Sequence, residues 1–357
     1  MEIHQLVAGM SYGDAISIQA KMIQQILRSW GFKSEIYSVS KHINPRIRKE
    51  CFDFRLHKKH SSKDNLVILH FSTHSPVNDY FRSIPDKKIL IYHNITPPEY
   101  LAIINNRIAR ELDKARQELA SLADIPELNL ADSDYNRKEL NELGFKNTAV
   151  FPLTIDRELF NRKPNPHITA IYNQPHIKHF IFVGRFVPNK KFDDVILFFN
   201  YYNKFIDSDS RLFLVGSYAG TEMYHDYLRS LTLQLGLKTV YLLGHVNFDD
   251  LLAYYNLADL FICMSEHEGF CLPLLEAMHF EIPIIAYKKA AVPETLGDSG
   301  ILVKNKAFPE IAEMADLILR DNCLREKIVR RQKNRLKHFS KDAMEERLKK
   351  HLSPWLQ

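Results

Sequence analysis

The stretch Glu268-Gly-Phe-Cys-Leu-Pro-Leu-Leu-Glu276 decides the reading of this chain. Two carboxylates lie eight positions apart around a Gly-Phe pair and a proline. Upstream, Leu260-Phe-Ile-Cys-Met264 reads as a buried strand, and downstream Leu274-Leu-Glu-Ala-Met278 reads as a helix. Glu268 then falls on a strand-to-helix loop and Glu276 one to two turns into the helix. In an open α/β sheet, ligands bind at the carboxyl ends of strands. A helix N-terminus there presents free N–H groups and the positive end of a dipole. A loop carboxylate would repel phosphate, and suits a neutral ligand rich in hydroxyls. Phosphate on backbone amides together with hydroxyls on two carboxylates describes a nucleotide sugar.

A second strand-to-helix loop agrees. Phe180-Ile-Phe-Val183 reads as a strand, followed by Gly184-Arg185-Phe-Val-Pro-Asn-Lys190 and a helical run from about Phe192. Gly184 permits a tight turn and close ligand approach. Arg185 offers a planar fork for phosphate and Lys190 a mobile point charge. Either pair alone is commonly a set of solvated surface charges. Both pairs on strand-end loops of one sheet point to a diphosphate and its sugar.

The C-terminal half resembles the retaining glycosyltransferases of family 4. The resemblance runs over roughly 120 residues, through Val183-Gly-Arg185 with Lys190, Leu214-Val-Gly216, Leu243-Gly-His-Val246, Ala258-Asp259, the Glu268–Met278 block, Pro283-Ile-Ile-Ala286 and Val292 to Val303. The N-terminal half matches more loosely, through Gly13-Asp14, Tyr92-His93-Asn94, Asp132-Ser133 and Ile155-Asp156. Two stretches depart from the family pattern, Gly216-Ser-Tyr-Ala-Gly220 and Met278-His-Phe-Glu-Ile-Pro283, and neither touches the paired carboxylates or the basic pair.

The resemblance implies an α/β chain of GT-B fold, two facing Rossmann-like domains with the donor site in the cleft between them. It implies a retaining hexosyltransferase using a nucleoside-diphosphate sugar. Glu276 would hold ribose hydroxyls and Glu268 donor-sugar hydroxyls. Backbone N–H groups of Gly269, Phe270, Cys271 and Leu272 would meet sugar and phosphates, and the amides around His245-Val246 the base. Gly184 would allow close approach, while Arg185 and Lys190 stabilise the departing diphosphate. Gly13 and the helix after it would approach the donor, and His93 would stand near the reacting centre. The favoured route is front-face attack, in which the leaving phosphate takes the acceptor proton. The donor would be a GDP- or UDP-linked hexose, with GDP-mannose the working choice, and the acceptor a glycan or lipid-linked glycan of a surface polysaccharide such as lipopolysaccharide. The rival readings are a GT-B phosphorylase or sugar-phosphate synthase, and a non-catalytic subunit that binds a nucleotide or glycan.

Length and composition agree. A chain of 357 residues makes two domains with their own cores. Strand and helix patterns alternate twice, with a linker-like stretch at 161–167. The expected division is 1–163 for the acceptor domain and 164–340 for the nucleotide-sugar domain, with the helix at 341–357 crossing back to the first by resemblance. Apolar residues make up 45% and charged residues 25%, as in ordinary globular proteins. No apolar run approaches the ~20 residues of a membrane span, and the first residues read as a strand, not a signal peptide. A cytoplasmic protein is expected.

Four cysteines, Cys51, Cys263, Cys271 and Cys323, show no metal-type spacing and read as reduced thiols. The 16 histidines show no paired-ligand spacing. Asp132-Ser-Asp134 reads as helix-capping residues and Asp207-Ser-Asp209 as a polar turn. No metal and no cofactor is expected, the nucleotide sugar being substrate. The net charge is +5, with eight basic residues between Lys41 and Lys63. Such a run is a solvated loop or a surface that sits on anionic lipid at the inner membrane face. Nucleic acid is excluded as a partner by the absence of a recognised motif and of aromatics interleaved with the basic run.

Overall fold

The computed structural model describes residues 1–11 and 13–356. Tyr12, inside the turn expected at 9–14, and Gln357 lie outside the described residues. Contacts divide the chain into two compact units. The first holds Met1–Pro98, Ala109–Thr154 and the C-terminal segment from Phe339; the second holds Glu99–Ile108 and Ile155–His338. The linker-like stretch 161–167 therefore lies within the second unit, where Pro166–Tyr172 is already helical.

Seven parallel strands build the first unit: β1 (Ile3–Val7), β2 (Ile36–Ser38), β3 (Phe52–Asp53), β4 (Leu66–Phe71), β5 (Lys87–Tyr92), β6 (Leu128–Ala131) and β7 (Thr148–Val150). Their order is β3-β2-β1-β4-β5-β6-β7. The order reverses between β1 and β4, which pair in register from Ile3↔Leu66 to Val7↔His70. Both strands are buried along their whole length, which is why they read as near-continuous apolar runs. The helix Ala15–Ser29 covers one face with Met22, Ile23, Ile26 and Leu27, capped at its start by the Asp14 carboxylate on the Ser17 N–H. Gly31, at φ 89°, ends it.

The helix Lys341–Leu352 joins the same face, with Met344, Leu348 and Leu352 buried against Ile3, Met22 and Ile23. The Trp30 ring N–H donates to Glu345 at 2.8 Å and fixes that helix on its neighbour. A 3-10 turn at Pro98–Tyr100 precedes the helix Asn106–Ala120. Tandem prolines at 97–98 deny the first turn its N–H donors and bias Thr96 away from helical geometry.

Six parallel strands build the second unit: β8 (Lys178–Val183), β9 (Ser210–Val215), β10 (Val240–Gly244), β11 (Leu260–Cys263), β12 (Ile284–Tyr287) and β13 (Ile301–Val303). Their order is β10-β9-β8-β11-β12-β13, with the reversal between β8 and β11. Aromatic rings fill the space beside β8, where Phe180 meets Tyr202 at 4.6 Å and Phe182 meets Phe192 at 4.7 Å between centroids. Both units are thus doubly wound Rossmann-like sheets. No helix among the described residues is long and apolar enough to cross a membrane.

Candidate active site

The two loops singled out by sequence leave β8 and β11, the neighbouring strands at which the second sheet reverses its order. That is where an open α/β sheet offers a crevice at its carboxyl edge. Two close backbone approaches hold the loops there. A Cβ on Gly216 would stand 1.8 Å from the Gly184 carbonyl oxygen, so only glycine fits beyond β9. A Cβ on Gly184 would stand 2.9 Å from Cδ of Lys190, so this glycine lets the lysine stem cross its Cα. Asn189, almost fully buried, ties one loop to the other. Its side chain donates to the His267 carbonyl at 3.0 Å, and its own carbonyl accepts the Glu266 N–H at 2.8 Å.

The lysine stem ends on Glu268. Lys190 Nζ lies 2.6 Å from Oε1 and 2.8 Å from Oε2 of Glu268, and the Ser265 hydroxyl donates to Oε1 at 2.9 Å. Burial disfavours the lysine charge, but Glu268 outweighs it and the Lys190 pKa lies above the ordinary lysine value. The sequence separated these residues into a phosphate binder and a hydroxyl binder, and the fold joins them as one ion pair. Arg185 is exposed and donates to the Ala219 carbonyl at 3.0 Å, beside the turn that follows β9.

The helix Leu272–His279 starts at Cys271, with no side chain capping its first N–H groups and Pro273 in its first turn. Glu276, on its second turn, is buried and accepts from the Tyr255 hydroxyl at 2.5 Å. Burial pushes its pKa up to about 7, against the pull of the Tyr255 hydrogen bond and of Lys190. Phe270 is held by its carbonyl, which accepts from the Thr295 hydroxyl. Gly269 and Leu272 are half-buried at the loop's two ends. Val246, half-buried, and His245, exposed, follow β10 just ahead of Asn247, which caps the helix Phe248–Leu257.

In the first unit, Gly13 has φ 77°, a left-handed geometry suited to glycine. A cavity of about 360 Å³ opens at the carboxyl ends of β1 and β4, lined by Ser11, Asp14, His42, Ser72, Thr73 and His74 among others. His93 follows β5 and has both ring nitrogens engaged. Nδ1 lies 3.0 Å from Asp132 Oδ2, and Nε2 lies 2.9 Å from Nδ1 of His70. His70 Nε2 in turn meets Gln5 Oε1 at 2.9 Å, while the Gln5 amide donates to Ala20. With its side chain only 2% exposed, His93 offers a ligand no free ring nitrogen in this arrangement.

Proton accounting along this chain is strict. The Gln5 oxygen accepts, so His70 carries its proton on Nε2. Burial, and then His93, hold the His70 pKa well below the ordinary value, so its Nδ1 accepts from His93. Nδ1 of His93 and Asp132 then share one proton. Burial raises the Asp132 pKa against the opposing pull of His93.

One expectation is corrected here. Asp132 is the partner of His93; the capping residue of its triplet is Ser133, which accepts from the Asn136 N–H. Cys263 and Cys271, which show no metal-type spacing along the sequence, come together with Glu268 as a group of ligand-type atoms within 4.8 Å. Glu2, His4 and His60 form another such group. Sequence reasoning also missed Tyr255, Asn189, Ser265 and His70. Tyr255 and His70 lie on other elements, and no spacing rule reaches across elements. Asn189 lay inside the quoted Gly184–Lys190 loop, next to polar candidates that drew the reading, and Ser265 lay between the quoted strand and Glu268.

With this geometry in hand, known proteins sort the possibilities. Residues 170–335 match the family of glycosyl transferases group 1. The matched stretch carries the Lys190–Glu268 and Tyr255–Glu276 pairs. The chain is 26% identical over 281 residues to the O-antigen chain mannosyltransferase B of Escherichia coli, covering 75% of this chain and 70% of that one. It is 29% identical over 181 residues to the capsular polysaccharide biosynthesis glycosyltransferase CapM of Staphylococcus aureus, covering 49% of this chain and 46% of CapM. Among solved structures, Anabaena HepE in complex with UDP and glucose superposes with a TM-score of 0.77 at 15% identity, over 99% of this chain and 100% of that one. Sucrose-phosphate synthase from Thermosynechococcus elongatus superposes with a TM-score of 0.75 at 16% identity, over 98% of each. The fold is GT-B, and the relatives support a glycosyltransferase.

Proposed function

We propose that this chain is a retaining glycosyltransferase of family 4. It moves a hexose from a nucleoside-diphosphate sugar to a glycan or lipid-linked glycan acceptor in surface-polysaccharide synthesis. The observation that carries the reading is the pair of buried carboxylates on β11's loop and helix, each already held by protein donors, Lys190 and Ser265 on Glu268 and Tyr255 on Glu276. Carboxylates preorganised in this way accept from hydroxyls without reorganising when the ligand arrives.

In this reading Glu276 takes the ribose hydroxyls and Glu268 the sugar hydroxyls. The uncapped N–H groups after Cys271 face the sugar and phosphates, with Phe270 and Leu272 fixing the loop around Gly269. Lys190 and Arg185 meet charge building on the diphosphate, and the amides at Val246 meet the base. Gly184 leaves room for the donor. His93 acts through the buried chain that holds its strand end. Positive charge from two basic side chains makes a metal unnecessary for departure of the diphosphate. The similarity to an O-antigen chain mannosyltransferase supports mannose as the sugar moved, and GDP-mannose is the proposed donor.

The eight basic residues between Lys41 and Lys63 are all exposed, with Phe52 and Leu56 exposed among them. That combination supports peripheral contact with an anionic membrane face on the cytoplasmic side.

The test is donor hydrolysis and binding across a panel of nucleotide sugars, for wild type and Glu276→Ala, with and without EDTA. Slow, EDTA-insensitive hydrolysis of one donor, lost in the variant, supports the reading and names the sugar. Turnover only with free phosphate or a hexose phosphate would move the assignment to a phosphorylase or sugar-phosphate synthase. Tight nucleotide binding without turnover would make the chain a binding subunit.

A further inference from the structure

The strand end that carries Glu268 also gathers two thiols. Cys263 is the last residue of β11, and Cys271 sits at the start of the helix Leu272–His279. Their sulfurs and a carboxylate oxygen of Glu268 lie within 4.8 Å of one another, and all three residues are buried. The Cys263 thiol donates to Ser265 at 3.4 Å, and Ser265 donates on to Glu268. The cysteines are not joined by a disulfide.

The backbone adds a second observation. Cys271 has φ 69° and ψ 63°, in the left-handed region. A non-glycine residue there carries a steric strain that glycine would not incur. The strain delivers a thiol to a place where it lies near both another thiol and a carboxylate. An outlier of this kind is grounds for seeking a function.

We propose that Cys263, Glu268 and Cys271 form a binding site for a soft divalent cation of the zinc or cadmium class, and that its occupation blocks the sugar site. Two sulfurs and an oxygen around one tetrahedral zinc stand about 3.5–3.8 Å apart, given bonds of about 2.3 Å and 2.0–2.2 Å. Shifts of about an ångström therefore suffice. Binding releases the two thiol protons. Two thiolates, the Glu268 carboxylate and the Lys190 ammonium then sum to −2, which a divalent cation neutralises. Glu268 has two oxygens, so one can ligate while the other keeps Lys190. Thiolate ligands select soft or borderline ions over magnesium and calcium. The blocking half rests on the reading of Glu268 as the ligand of donor hydroxyls; the binding half does not.

The test titrates the reduced full-length chain with Cd²⁺ and Co²⁺, reading stoichiometry by equilibrium dialysis and sulfur-to-metal charge-transfer absorption. One ion per chain is expected, with charge-transfer bands that excess Mg²⁺ leaves in place. Cys263→Ser and Cys271→Gly should each lose the bands and weaken binding by roughly tenfold or more, while Cys323→Ser keeps both. Glycine suits the backbone at 271, so that variant tests the thiol without testing the fold. No stoichiometric ion, or bands retained in both site variants, overturns the proposal. GDP-mannose and UDP-glucose binding is then measured with and without Cd²⁺. Loss of binding supports the blocking half, and unchanged binding overturns it. If no nucleotide sugar binds the metal-free chain, the functional reading and the blocking half fall together, and the cation site stands on its own absorption.

Discussion

Tyr255 donates its hydroxyl to Oε2 of Glu276 across 2.5 Å, joining the helix Phe248–Leu257 to the helix Leu272–His279 inside the core. Burial has pushed the glutamate pKa from an ordinary 4.5 up to about 7. A raised carboxyl pKa means that the folded chain holds a proton which the unfolded chain has released. Its stabilising contribution is present in full below about pH 4.5 and is lost as pH rises through about 7. The expected loss is about 3 kcal/mol between those limits. Urea unfolding of wild type and Glu276→Gln across that range measures it. The wild-type curve should slope more steeply downward with pH than the variant's, and parallel curves would sink the assignment.

The same hydrogen bond tunes binding. Tyr255 favours the charged glutamate, so Tyr255→Phe raises the Glu276 pKa further. If the carboxylate is the form that takes ribose hydroxyls, nucleoside-diphosphate affinity should rise with pH around 7 in wild type. The midpoint should move to higher pH in Tyr255→Phe and vanish in Glu276→Gln. Calorimetric titrations at five or so pH values decide this, and a pH-independent affinity in wild type counts against it.

Lys190→Met should be severe. It leaves the Glu268 carboxylate buried without its cation, and removal of one member of a buried pair costs roughly 3–5 kcal/mol. Lys190→Met with Glu268→Gln removes both charges and should recover most of that loss. Denaturant midpoints of the two singles and the double give the coupling. A Lys190→Met loss no larger than that of a surface substitution would mean that the pair is solvated in solution.

The chain from Gln5 to Asp132 makes a prediction about hydrogen position. Asp132→Asn can still donate an N–H to Nδ1 of His93, and it fixes a neutral ring. Asp132→Ala leaves a buried nitrogen without a partner, at about 1–3 kcal/mol. The asparagine variant should therefore be the more stable, and ¹⁵N shifts should report His93 protonated on Nε2 alone. Equal destabilisation by both substitutions would refute the shared-proton assignment.

For the basic segment, cosedimentation with vesicles should need anionic lipid and weaken with salt. Each basic residue near the surface contributes about 1 kcal/mol, so Lys58→Ala with Lys59→Ala should lower partitioning by roughly 30-fold. Equal binding to neutral vesicles would exclude the electrostatic reading.

Much was legible along the chain, because its signals are local. The strands at Phe180–Val183 and Leu260–Cys263 follow from short apolar runs bounded by turn residues. Met344, Leu348 and Leu352 form the buried face of the helix Lys341–Leu352, and their spacing is that of the helical repeat. The two-residue edge strand Phe52–Asp53 was not legible, since it carries no period and exists only because β2 lies beside it.

The sequence by itself determined two doubly wound sheets and the loops on which Gly184 to Lys190 and Glu268 to Glu276 sit. Each depends on residues within a few positions of one another. Only the tertiary structure decided the partners: Lys190 with Glu268, Tyr255 with Glu276, His93 with His70 and Asp132, Cys263 with Cys271. Those pairings are set by which strands lie side by side, β8 against β11 and β4 against β5. Side chains distant along the chain meet only after the sheet has formed, in a buried space where each polar atom must find a partner.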